Sequence, residues 1–322
     1  MKMPAVIYQC ILNNSNSKVS DFKHRYQKHN GIYYGIISDY LIAPEDADMK
    51  AGYFSKLPVV VWGFALLVFV LSIVSLPTGG RDWREDIMPA SARFWDAPWL
   101  EGCPIPPYAL PGLWPIAKMP AAVGTAANNA IAVIVFALAA RRLGGSSWAV
   151  LPALAGPFGW TMFRQGQLDW LPLLALLLAN GWELPLLVTK PQVGLWVALP
   201  RWRASGYSLR WLLPGLGVLA LSLIVWGFWP WAILHDYTRL FTAHHNISTW
   251  PYMIPVGLML VWFSWRKQSD ALALLAAPLL FPYYNINSMS VIALVSAAKW
   301  PLIAVPVLIG LDVQLVWAAL FG

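Results

Sequence analysis

Three carboxylates, Asp82, Glu85 and Asp86, stand at i, i+3 and i+4, so a helix carries them on one face. They open the stretch Arg81–Trp114, the main polar interlude in a chain otherwise made of apolar runs. That stretch holds five acids, three arginines, six prolines and four tryptophans. A carboxylate set at the end of an apolar run can serve as a general base or hold a divalent cation. Arg81 and Arg84 beside it can pair with an anionic group, phosphate in particular. The same residues also fit an interfacial helix whose acids and arginines neutralise one another at the headgroup layer, and spacing alone does not choose. The Trp- and Pro-rich remainder, Phe94 to Trp114, fits an amphipathic segment lying in a membrane interface.

Other polar residues stand out against the apolar background. Lys190 lies inside an apolar run, where an ionisable group is expensive and usually faces a cavity. Arg164 closes another run, as an interfacial anchor would. His244-His245 stands in a polar stretch, with no further ligand at metal-binding spacing on that segment. Asn128-Asn129 inside an apolar run suits interhelical hydrogen bonds. Asn246-Ile-Ser248 has the glycosylation sequon, which matters only in a eukaryotic secretory setting.

The elements that must position these residues follow from composition. The chain has 322 residues, is 58% hydrophobic and only 11% charged, and contains 20 tryptophans. A soluble domain carries about 25% charged residues. The expected fold is therefore all-α, a polytopic transmembrane helical bundle of about eight to ten membrane segments, some short or broken. The net charge of +7 comes from basic residues at the ends of apolar runs. That is the pattern of membrane orientation and gives no signal for nucleic acid. The two cysteines, Cys10 and Cys103, are too far apart in sequence to make a metal motif and form no disulfide framework.

Residues 1–48 are a polar N-terminal tail with five basic and five acidic residues. Either the tail is cytosolic, or translation starts at Met49, which would give a short basic lead into the first span. No cleavable signal peptide is evident. Residues 49–322 form a single transmembrane domain with a polar non-cytoplasmic loop, 77–114. The expected spans are Leu57–Leu76, Met119–Ala140, Ser147–Phe163, Trp170–Asn180, Trp211–Trp229, Pro251–Trp265 and Pro301–Phe321, with short apolar pieces at Ala271–Pro282 and Ser288–Ala298. Glu183–Pro200 enters, breaks at Lys190-Pro191 and returns, since such a break is tolerated where it lines a protein cavity. Lys50/Lys56, Arg141/Arg142, Arg201/Arg203/Arg210 and Arg266/Lys267 then all fall on the cytoplasmic side. The polar stretches 81–114, 164–169, 235–250 and 282–287 converge on the other face.

The order of these pieces resembles that of GT-C superfamily membrane glycosyltransferases, and more narrowly the polyprenyl-phosphate-mannose-dependent mannosyltransferases (glycosyltransferase family 87). The resemblance covers about residues 57–300. Asp82-Trp83 follows the first span, then the small-residue stretch Pro89-Ala-Ser-Ala92, Gly102, Pro107-Tyr108 and a proline-marked lead, Pro111 to Pro115, into the second span. Gly166-Gln167 precedes Leu168-Asp-Trp170, and an apolar stretch ends in Thr189-Lys190-Pro191. Phe281-Pro-Tyr-Tyr284 is similar to the family's late proline turn. The chain departs from the family in its shortness, in Asp169 where the family usually has Asn, and in lacking the serine of the late turn.

The resemblance implies an inverting hexosyltransferase, for mannose or another hexose or pentose. The sugar would move from a polyprenyl-phosphate donor to a glycan or glycolipid acceptor at the non-cytoplasmic face of the cell membrane. The membrane lipids would be its other partners. The reaction needs a base for the acceptor hydroxyl. Asp82, on the family's acidic position, is the first candidate, Asp86 the second and Glu85 the third. Groups around the leaving phosphate would come from Arg81, Arg84, Arg164, Lys190 and His244/His245. Gln165 and Gln167 could hold sugar hydroxyls, and Tyr283, Tyr284 and Asn285 of the late turn complete the expected binding residues. No resident cofactor or dedicated metal ligand set is implied, although the acidic triplet permits a divalent cation. The alternative is a multi-pass transporter or flippase of a lipid-linked or small solute, which also uses broken helices. No second copy of the acidic loop or of the Lys-Pro break appears, as an internal repeat would require. An inactive member of the family is a third reading.

Overall fold

The structure is a computed structural model that describes residues 57–95, 105–240 and 246–309, with side chains as far as 235 in the second stretch. The expected tail 1–48 lies outside the described residues. Among the described residues the fold is all-helical, and the only extended pairing is an isolated bridge between Asn246 and Asn285.

The centre is α4, Ala121–Arg142, preceded in the chain by α1 (Val59–Ser75), a short α2 (Met88–Ala92) and α3 (Leu110–Ala117). Thirteen residues of α4 are buried, and many are small: Gly124, Ala126, Ala132, Ala137, Ala139 and Ala140. Small residues let neighbouring helix backbones approach closely. Helix α1 lies along α4 and turns toward it Val61, Ala65, Val68 and Ser72, a stripe of helical period. Asn129 Nδ2 donates to Ser72 Oγ at 2.9 Å and to the Phe163 carbonyl at 3.0 Å, so this asparagine does join helices. The other side of α1 exposes Trp62, Leu66, Leu67, Val70, Leu71 and Val74.

Residues 147–204 form a string of short helices: α5 (Val150–Leu154), α6 (Pro157–Gln165), α7 (Trp170–Leu174), α8 (Glu183–Leu187), α9 (Pro191–Gly194) and α10 (Ala198–Ala204). Here the structure differs from the expected spans. Ser147–Phe163 is divided at Ala155-Gly156 ahead of Pro157, and Trp170–Asn180 passes into a 3₁₀ turn at Ala175–Leu177. Proline cannot donate within a helix and restrains the residue before it. Glu183–Pro200 does break at Lys190-Pro191, where Lys190 leaves the helical region (φ −131°, ψ 81°).

After a 3₁₀ turn the chain continues through α11 (Leu213–Trp226), α12 (Trp229–Leu240), α13 (Ile254–Lys267), α14 (Asp270–Leu280) and α15 (Met289–Lys299). Helix α13 packs on α14. Among the described residues two continuous helices are long and apolar enough to cross a membrane by length and composition, Ala121–Arg142 and Leu209–Trp226. The first is 61% buried and the second 11% buried over its most apolar window. At about 1.5 Å per residue, α4 spans about 33 Å, close to a hydrocarbon core of about 30 Å.

The bundle has two chemically distinct ends. Around the C-terminus of α4, Arg142 Nε donates to the Leu176 carbonyl at 3.3 Å. Arg201 donates to Asp270 (2.7 Å) and to the carbonyls of Ala175 (3.0 Å), Leu176 (2.9 Å) and Leu178 (3.0 Å). Glu183 sits 3.9 Å from Arg201 and accepts from Trp211 Nε1 at 2.9 Å. Arg203 donates to the Trp265 carbonyl at 2.7 Å. The N-terminus of α4 presents Thr125, Asn128 and Asn129 at the opposite end, where the candidate site lies.

Candidate functional site

The site begins at the Gly79-Gly80 turn that follows α1. Gly80 N donates to Thr125 Oγ1 at 2.9 Å, which fixes the turn on α4. A π-helical turn, Trp83–Ile87, leads into α2, and π turns recur at functional sites. Trp83 is fully buried and lies against two glycines. A Cβ at Gly166 would fall 2.6 Å from Trp83 Cβ, and one at Gly124 would fall 3.0 Å from its indole nitrogen. Gly166 also closes α6 in the left-handed conformation (φ +73°), which glycine adopts without steric cost. Asp82-Trp83 is thereby held against Gly166-Gln167.

A continuous polar chain results. Gln167 Nε2 donates to Asp82 Oδ2. Lys190 Nζ donates to Gln167 Oε1 at 2.6 Å and stands 3.2 Å from Asp169 Oδ1. Ser288 Oγ donates to the same Asp169 oxygen at 2.6 Å. Asn128 secures the backbone beneath: its Nδ2 donates to the Gln167 carbonyl at 3.3 Å and its Oδ1 accepts from Trp170 Nε1 at 2.9 Å. Gln167 and Asp169 are buried, the Lys190 side chain is 12% exposed, and Asp82 is half-buried. The Lys-Pro break leaves helical geometry at Lys190, and there the ammonium reaches two side chains of the α6–α7 turn.

Electrostatics separates the three carboxylates of the first loop. Burial raises the Asp82 carboxyl above its ordinary value; Lys190, Arg81 and the Gln167 hydrogen bond oppose that shift, and Glu85 adds to it. Asp86 is pushed up to about 6, by burial first and then by the charges of Asp82 and Glu85. Glu85 is lowered by its hydrogen bonds from Arg84 (2.7 Å) and Arg81 (3.1 Å). It is 46% exposed, with Arg81 at 73% and Arg84 at 39%, and Arg84 also donates to Thr78 Oγ1 at 2.9 Å. Mutual neutralisation therefore describes Glu85 and the two arginines, while Asp82 faces inward.

The late turn joins the same assembly. Tyr283 is buried, and its phenol is pushed up to about 12 by burial and by the charges of Asp82 and Asp169, against a hydrogen bond with Asn285. Tyr284 is fully buried and donates to the Ser288 carbonyl at 3.1 Å. Asn285 Oδ1 accepts from Asn287 N at 3.0 Å and starts the following turn. Asn246 of the sequon holds this turn from outside, donating to the Pro282 carbonyl at 2.8 Å and accepting from Tyr284 N at 3.0 Å.

Of the expected site residues, Asp82, Gln167, Lys190 and Tyr283 come together. Asp86 stands beside Asp82. Arg164 is exposed in the last turn of α6, and Gln165 is half-buried with a buried Oε1 that has no hydrogen-bond partner. His244 and His245 lie outside the described residues. Asp169, Ser288, Asn128 and Thr125 were not among the expected site residues. Asp169 could have been found as a second acid at the opening of an apolar helix; Ser288 has no signal beyond its nearness to the late turn. Asp169 Oδ2 and Asn287 Oδ1 are further buried acceptors without a partner. Among the described residues no three His, Cys, Asp or Glu side chains come together as a metal set.

No family model, curated protein or solved structure matches the chain. Chemically, the geometry offers a half-buried carboxylate of raised proton affinity, linked through one amide to a largely enclosed ammonium. An ammonium has three N–H donors; among the described residues Gln167 and Asp169 stand within reach of that of Lys190.

Proposed function

We propose that this protein is a polytopic membrane glycosyltransferase that moves a sugar from a polyprenyl-phosphate donor to a hydroxyl acceptor at the non-cytoplasmic face. The observation that carries this reading is the meeting of Asp82, Gln167 and Lys190. These come from three stretches separated in sequence, each lying where the resembling family has a motif. The membrane part of the reading is supported by α1, α11 and α13. Their exposed sides are rows of large apolar residues such as Leu66, Leu216, Ile224, Leu258 and Trp262, an area of kind that water does not tolerate. The orientation is supported by the basic end of the bundle, which the positive-inside rule assigns to the cytoplasm.

In this reading Asp82 takes the proton of the acceptor hydroxyl. The oxygen attacks the anomeric carbon from the side opposite the phosphate, the carbon–oxygen bond to phosphate breaks, and its electron pair leaves with the lipid phosphate. The anomeric configuration inverts. The raised proton affinity of Asp82 suits a base working near neutral pH. Lys190, with Arg81 and Arg84 nearer the surface, would balance charge on the leaving phosphate. The test is transfer from a radiolabelled polyprenyl-phosphate sugar by purified protein in liposomes. Product from the wild type and none from Asp82→Ala supports the reading. Solute uptake or lipid translocation without glycosyl product favours the transporter instead.

A further inference from the structure

Gln167 has only one way to lie between its neighbours. An ammonium can only donate, so Lys190 faces the amide oxygen, at 2.6 Å. An ionised carboxylate can only accept, so the amide NH₂ faces Asp82. The amide dipole is thus pinned with its oxygen toward a cation and its nitrogen toward an anion. Lys190 is itself held from behind by Asp169 at 3.2 Å, and Asp169 by Ser288 at 2.6 Å. The cation of the chain has its own counter-ion, which holds it in place while it polarises the amide.

We propose that Ser288, Asp169, Lys190 and Gln167 form a positioning relay that holds Asp82 in its ionised, proton-accepting form. Gln167 in this role is a bridge between two charges, which goes beyond an expected contact with sugar hydroxyls. Protonation of Asp82 would take away the charge that the pinned amide NH₂ and the Lys190 ammonium face, leaving a weaker acceptor for the amide, so the relay penalises that form. Burial of Asp82 pulls the other way. The groups that face Asp82 are Lys190 and Gln167 from the inner side, Arg81, Glu85 and Asp86 from its own turn, and Tyr283 from the late turn. Of these, Lys190 is the less exposed cation, its side chain 12% exposed against 73% for Arg81, and Gln167 is its only hydrogen-bonded link to Asp82 among the described residues. Asp169 acts through Lys190 and is a positioning residue, as Gln167 is; neither need touch substrate. The use of the relay in catalysis rests on the glycosyltransferase reading, but its effect on Asp82 does not.

The experiment titrates the Asp82 carboxyl in full-length protein in liposomes, by infrared difference spectra with Asp82→Asn as the blank. Gln167→Ala and Lys190→Met should each raise its proton affinity about tenfold or more, one pKa unit. Lys190→Arg should restore it, since it returns the cation. Because Lys190→Met strands Asp169, the double variant Lys190→Met with Asp169→Asn is measured beside it and should show the same rise. An unchanged Asp82 titration in folded Gln167→Ala and in the double variant would overturn the relay. If the titration moves as expected while no variant or wild type makes glycosyl product, the relay stands and the glycosyltransferase reading falls. If product forms and the titration does not move, the reverse holds.

Discussion

Asp82 accepts a hydrogen bond from the side-chain amide of Gln167, 85 residues further along the chain. That bond joins the turn after α1 to the turn between α6 and α7, and everything chemically distinctive about the polar end is built on it. Its consequences can be measured.

Substitution of the three loop carboxylates should separate by burial. On the glycosyltransferase reading, Asp82→Asn should lower sugar transfer by about 10²–10⁴-fold, the usual worth of a general base, without loss of folded protein. Glu85→Gln should have the smallest effect, since Glu85 is exposed and paired with Arg81 and Arg84. Asp86→Asn should lie between. Equal losses in all three would deny Asp82 its special place.

Asp86 gives the protein a pH-dependent stability. Its folded-state pKa is about 6, above the ordinary 3.8. The folded state therefore binds the proton more tightly than the unfolded state. The stability this confers is present at low pH and is lost as pH rises through about 6. The size is on the order of 1–3 kcal/mol, after discount for the partial exposure of Asp86. Asp86→Asn mimics the neutral form, so its melting temperature in detergent should match the wild type under acid conditions and exceed it above neutrality. A variant less stable than wild type at alkaline pH would contradict this.

Gly166→Ala should damage both fold and site. The position has φ +73°, and the added Cβ would lie 2.6 Å from Trp83 Cβ. Left-handed strain alone costs about 1–2 kcal/mol, and the collision pushes Asp82 away from Gln167. Calorimetry should show a lower melting temperature. Transfer should fall by more than the loss of folded protein explains.

At the basic end, Asp270→Ala should leave Arg201 without its nearest carboxylate, where it is 9% exposed. Breaking a buried pair costs about 3–5 kcal/mol. The fraction of protein surviving heating should drop sharply. The surviving molecules should keep the wild-type KM, because this cluster lies at the opposite end of α4 from Asp82.

Orientation is open to cysteine labelling. With Cys10 and Cys103 replaced by serine, Glu85→Cys should react with a membrane-impermeant maleimide from outside the cell. Lys267→Cys should react only after permeabilisation. The opposite pattern would turn the bundle over and contradict a site at the non-cytoplasmic face.

How far the sequence alone reached differs by residue. Asp82, Gln167 and Lys190 could be singled out because each is a polar group that an apolar chain must justify, and because their order resembles one family. The break at Lys190-Pro191 was legible for a local reason, the missing N–H of proline. The divided course of 147–177 was not, since apolar runs with proline read alike whether they span or turn, and packing decides which. Glu85 and Asp82 look equivalent in sequence. Only the π turn and the glycines at 124 and 166 point Asp82 inward and leave Glu85 to the arginines. Asp169 became a counter-ion solely because the tertiary structure carries Lys190 and Ser288 to it from 21 and 119 residues away. Sequence by itself determined the all-helical class, the polarity between a basic end and a carboxylate end, and which residues must find partners. It could not determine which partners they find, because the energy of a buried charge depends on what stands within a few ångströms, and that is a property of the packed bundle.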